Sequence, residues 1–206
     1  MSGFASIYGG SGDDALTPSV LNQSNFIDGG GGDDVIASLG GNDTVLGGGG
    51  DDVVLAGTGA DVVFGQGGAD RIYGEQGSDG LFGGAGADTL FGGAGDDTLL
   101  GGSGQDSLIG GAGDDVLGGG NGPDAFEFNN GFGNDLIIGF QIGTDILQIS
   151  GNINGSGVAL PGDLLPFVSA DGFGNAVITL GGDSITLQGI GVGDVAANIN
   201  SIIQII

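Results

Sequence analysis

The sequence has no Cys, His, Lys or Trp, and its single cation is Arg71. Each absence removes a class of chemistry. Without Cys there is no disulfide framework, zinc ribbon or thiol nucleophile. Without His or Lys there is no Ser-His-Asp triad, no H-E-x-x-H zinc site, no Schiff base and no P-loop lysine. One cation cannot neutralise a phosphate backbone, so nucleic acid and anionic membranes are not expected partners. No apolar run is long enough to span a bilayer, so membrane insertion is not expected either. The opening MSGFASIYGG has neither the cationic segment nor the apolar run of a secretory leader.

What is present is just as uneven. Gly supplies 53 of 206 residues, and 26 acidic residues bring the net charge to −25. All but two of the acids, Glu75 and Glu127, are Asp. Scattered along a chain, that composition reads as disorder. A hydrophobic fraction of 39% and a mean hydropathy of +0.28 point instead to a packed core. The register of the Gly and Asp decides between the two.

From Gly29 to Glu127 the chain divides into eleven consecutive nonapeptides without insertion or deletion. The fourth position is always Gly. The sixth is always Asp: Asp34, Asp43, Asp52, Asp61, Asp70, Asp79, Asp88, Asp97, Asp106, Asp115 and Asp124. The eighth is always large and apolar, from Ile36 to Phe126. Gly-Gly-x-Gly-x-Asp makes a tight turn whose glycines allow positive φ and close backbone approach. The three residues that follow make a short strand with one inward side chain. One such strand is not stable alone, but stacked copies are, which predicts a solenoid with two repeats per coil. The fold class is therefore all-β, a parallel β-roll of nonapeptide repeats with a C-terminal β-hairpin and capping segment.

Stacking sets Asp above Asp along each edge, about 4.7–4.9 Å apart, and such columns need a cation. Carboxylates and turn carbonyls are hard oxygen donors that suit calcium, with no nitrogen or sulfur to recruit zinc or copper. The candidate carbonyls belong to Gly29, Gly47, Gly65, Gly83, Gly92, Gly101, Gly110 and Gly119. Six odd and five even repeats leave five and four intervals, so about nine calcium ions fit between turns. Their charge would bring the chain from −25 to about −7. Ordinary turn chemistry accounts for scattered Asp, but not for an unbroken column. Arg71 reads as a solvated strand residue, with an ion pair to Glu75 as the alternative.

The repeats GGAGDDTLL (92–100) and GGSGQDSLI (101–109) match, position for position, the consensus of the hemolysin-type calcium-binding repeats known as RTX. The resemblance implies a parallel β-roll, calcium held between turns, and export by type I secretion. GFGNDLIIGFQIGTDILQIS (131–150) and FGNAVITLGGDSITLQGIG (173–191) resemble the segment that follows such repeats in serralysin-type proteases. The protease itself is not implied, because its zinc motif needs His.

Three segments follow. Residues 1–28 begin the roll, with a further match at GGSGDDALT (9–17) that puts Asp14 in the ligand column. Inward positions count as Ile7, Leu16, Ile27 and Ile36, with one enlarged turn whose tip is Asn22-Gln23-Ser24. Residues 29–127 are the regular roll. Residues 128–206 carry degenerate repeats, in which Asp135 and Asp145 are either ligands or turn residues. A hairpin is expected from Ala176–Leu180 and Ser184–Leu187. The apolar end fits either a helix with 195, 199, 202 and 206 on one face or a strand over 202–206. Either would cap the roll, and by resemblance this tail carries the secretion signal.

The ninth repeat position faces outward yet is apolar. Leu46, Phe64, Phe82 and Leu100 line one sheet, and Leu55, Tyr73, Phe91 and Ile109 the other. Side-chain laddering on a narrow sheet explains such a stripe, and so does lateral packing against a partner.

Two functions are expected from these features. One is a secreted, calcium-folded structural protein of the cell surface or extracellular matrix, self-associating into oligomers or filaments. The alternative is an accessory module that helps fold or export a separate enzyme. An enzyme using paired carboxylates is not expected, since the repeat accounts for every Asp pair.

Overall fold

The computed structural model describes residues 5–151 and 153–206, so the first four residues of the N-terminal segment lie outside the described residues. Each nonapeptide places one strand, and alternate strands fall in opposite sheets. Ala5–Ser11, Asn25–Gly31, Thr44–Gly49, Val62–Gly67, Gly80–Ala85, Thr98–Ser103, Val116–Asn121 and Asn134–Ile137 follow one another in the first sheet. Ala15–Leu16, Val35–Ala37, Val53–Thr58, Arg71–Gln76, Thr89–Ala94, Ser107–Ala112, Ala125–Phe128 and Ile146–Ile149 follow in the second. All these pairings are parallel, and each joins a residue to its equivalent one coil away. Leu90, for instance, lies between Ile72 and Leu108. This is the two-sheet roll that the period of nine predicts.

The eighth-position residues form the core. Ile36, Val45, Val54, Leu81, Leu90, Leu117 and Phe126 are all wholly buried, each stabilising the roll by about 1.5–3 kcal/mol relative to exposure. At the N-terminal end Ile7 and Leu16 are only partly covered. The turns between strands bond coil to coil. Gly86 N–H donates to the Ser103 carbonyl and Thr89 N–H to the Asp70 carbonyl, at 2.9 and 2.8 Å. The second repeat position is left-handed even without Gly: φ is 76° at Leu39, 83° at Gln66 and 72° at Glu75. Each costs about 1–2 kcal/mol, which the coil-to-coil ladder offsets.

The C-terminal end is closed. The predicted hairpin forms from Ala176–Leu180 and Asp183–Leu187, and the second of these pairs parallel with Asn134–Ile137. Both readings of the tail are realised in turn. A helix, α1 (Val192–Ile202), buries Val195, Ile199 and Ile202. The strand Ile203–Ile205 then pairs with Ile146–Ile149 and completes the second sheet. Ile206, grouped with the helical face by its spacing, is 57% exposed because the helix has already given way to strand. No helix of the described residues is long and apolar enough to cross a membrane.

Candidate metal centre

The sixth-position Asp closes each turn, and both of its oxygens have a defined setting. Oδ1 accepts the backbone N–H of the Asp one coil earlier. Asp79 N–H donates to Asp97 at 2.8 Å and Asp97 N–H to Asp115 at 2.8 Å. Two columns result. One runs Asp14, Asp34, Asp52, Asp70, Asp88, Asp106, Asp124, Asp145, and the other Asp43, Asp61, Asp79, Asp97, Asp115, Asp135. The members from Asp34 to Asp145 are at most 3% exposed.

Oδ2 is the exception to this bonding. In every column member from Asp34 to Asp135 it is buried without a hydrogen-bond partner, a costly state for a charged oxygen. Where the repeat begins with Gly, it lies against that Gly, and at most of these steps a carbonyl one coil later lies there too. A Cβ built on Gly74 would stand 2.6 Å from Asp79 Oδ2 and 2.6 Å from the Gly92 carbonyl oxygen. On Gly47 it would stand 2.5 Å from Asp52 Oδ2 and 2.8 Å from the Gly65 carbonyl. The carbonyls of Gly29, Gly83, Gly101 and Gly110 hold the same place at their steps, and Gly119 lies against Asp124 Oδ2. Calcium takes six to eight oxygens at about 2.3–2.6 Å, so an orphaned carboxylate oxygen beside a backbone carbonyl suits it. Among the described residues no three acidic side chains converge. A step therefore offers fewer than three carboxylates together with backbone oxygens, not a carboxylate cage.

The electrostatics show what ionising these columns costs. Burial, reinforced by the carboxylates of neighbouring coils, pushes Asp61 and Asp97 up to about 7, and Asp70 and Asp106 up to about 6. Asp135, next to Asp115, Asp114 and Asp183, rises to about 8, again with burial as the first cause.

The two uncertain tail residues separate here. Asp135 sits in its column with Oδ2 free. Asp145 also sits in its column, but its Oδ2 accepts the Gln141 N–H at 2.8 Å. One residue escaped the sequence reading. Asn25, 1% exposed, takes the place of a column Asp in the enlarged first turn and donates its N–H to Asp43 Oδ1 at 2.6 Å. Its position two residues before inward Ile27 was the available signal.

The outward stripes are half-buried. Phe64 stacks on Phe82 with ring centroids 4.8 Å apart, and Tyr73 on Phe91 at 4.7 Å. Leu46 and Leu100 continue the first stripe, Leu55 and Ile109 the second. Arg71 is exposed on its strand.

The RTX calcium-binding nonapeptide repeat matches residues 6–17 and, in overlapping copies, 21–125. That is more than half of the chain. The protein belongs to this RTX repeat family. The RTX unit is a non-catalytic structural repeat, and the Asp ladder is consistent with several calcium sites along the solenoid. A search of curated proteins finds no match. Among solved structures, the extracellular lipase LipA from Serratia marcescens is similar at 19% identity and a TM-score of 0.48. The similarity covers 99% of this RTX chain and 40% of the lipase chain.

Proposed function

We propose that the protein is a calcium-folded structural module that works outside the cell, at the surface or in the extracellular matrix, and associates laterally into oligomers or filaments. The observation that carries this reading is the pair of buried Asp columns with unpartnered Oδ2 atoms. Calcium would be held by those oxygens and by the first-position carbonyls, and would supply the charge that lets the coils stack. The chain's own residues do the rest: Oδ1 ties each turn to the one before it, and the eighth-position residues exclude water.

The sheet faces support lateral association, since the apolar stripe from Leu46 to Leu100 carries no charge while the turn edges hold the acids. The apolar tail fits a type I export signal read before folding, because Val195, Ile199 and Ile202 are buried once the roll has formed. A calcium-poor cytosol would keep the chain unfolded for that step. Sedimentation velocity on the calcium-loaded chain tests the association. Oligomers that disappear in Phe64→Asp/Phe82→Asp support it, and a monomer at high protein concentration overturns it.

A further inference from the structure

The steps of the two columns are not equivalent, and the first residue of the repeat makes the difference. In the column that starts at Asp14, that residue is Gly at every step from Gly9 to Gly119. In the other column it is Ser38, then Ala56, and only then Gly74, Gly92 and Gly110. Ser38 and Ala56 are both wholly buried.

A side chain at this position has two effects. Its Cβ takes the space onto which carboxylate Oδ2 and carbonyl oxygen converge in the Gly-bearing steps. At Ser38 the carbonyl is engaged as well. Ser38 Oγ donates to the Ala56 carbonyl oxygen at 2.7 Å, and this carbonyl is the counterpart of Gly65's in the Asp52 step. Neutral contacts hold the same edge together. Asn25 donates both its N–H and its side-chain amide to Asp43 Oδ1. Nearby, Asn22 Oδ1 and Thr58 Oγ1 lie 2.9 and 2.7 Å from where a Cβ on Gly40 would stand.

We infer that the steps at Asp43 and Asp61 are closed to calcium by Ser38 and Ala56, so that the roll loads unequally. One edge takes calcium along its length, and the other only from Asp79 onward. The inference rests on the calcium reading above and narrows it, removing two of the expected sites.

The test counts bound ions on the whole chain by equilibrium dialysis against calcium, with circular dichroism to confirm folding. Ser38→Gly/Ala56→Gly is expected to bind two more calcium ions than the parent. Neither residue has a positive φ, so Gly is tolerated at both. The mirror variant Gly92→Ala is expected to lose one ion or bind it at least tenfold more weakly. An unchanged count and affinity in the double Gly variant overturns the inference, even if Gly92→Ala fails to fold. A parent chain that binds no calcium overturns the calcium reading itself, and a parent that binds calcium while the double variant gains none leaves that reading standing.

Discussion

Removing calcium at neutral pH should unfold the roll, and the magnitude can be worked from the Asp columns. Twelve column carboxylates keep a buried oxygen without a partner. An unsatisfied buried polar group costs about 1–3 kcal/mol, and more if charged, so twelve cost at least about 12–36 kcal/mol. A domain has only about 5–15 kcal/mol of net stability to lose. The low end already matches most of that range, and the chain's self-repulsion at −25 adds to it. Calcium reverses the sign by giving the oxygens of the open steps a cation. Far-UV circular dichroism in excess chelator at pH 7.5 should show a disordered chain that gains β-structure cooperatively as millimolar calcium is added. A native-like β-spectrum in chelator at that pH would refute the reasoning, because it would mean that the columns do not oppose folding.

Two further outcomes follow from the same structure. Asp61, Asp97 and Asp135 have folded-state pKa values of about 7, 7 and 8, raised from 3.8. Their protonation therefore stabilises the calcium-free roll most below about pH 4, and that contribution is lost as pH rises through about 6 to 8. In calcium-free buffer, β-content by circular dichroism should fall across that window, and a rise with pH would contradict it. At the cap, Ile199 is 6% exposed and Ile206 57%. Ile199→Asp should lower the urea midpoint of the calcium-loaded protein sharply, by about 2–5 kcal/mol of stability, while Ile206→Asp should leave it within about 0.5 kcal/mol.

Much of this architecture is legible in the sequence because the repeat is strict. A period of nine with one apolar position fixes which side chain points inward, and Asp two residues earlier then has to fall on a turn. The less regular ends were harder. Asn25 was hidden by an eleven-residue interruption that shifts the count and by a change from Asp to Asn. The tail left helix and strand both open, since Ile202 and Ile203 suit either, and only the unfinished second sheet next to Ile146–Ile149 calls for a strand after the helix. Asp145 looks like Asp135 in sequence. The difference between them lies in the turn that brings the Gln141 N–H onto Asp145 Oδ2, a through-space relation that spacing does not reveal. Ser38 and Ala56 read as mild departures from Gly until the direction of their Cβ atoms is known.

The sheet faces bear on how copies of the roll can meet. Leu46, Phe64, Phe82 and Leu100 recur at one place per coil, so the apolar stripe runs along the roll axis and not across it. Copies that met through such stripes would lie with their axes side by side, and a raft built that way would grow by one roll at each contact.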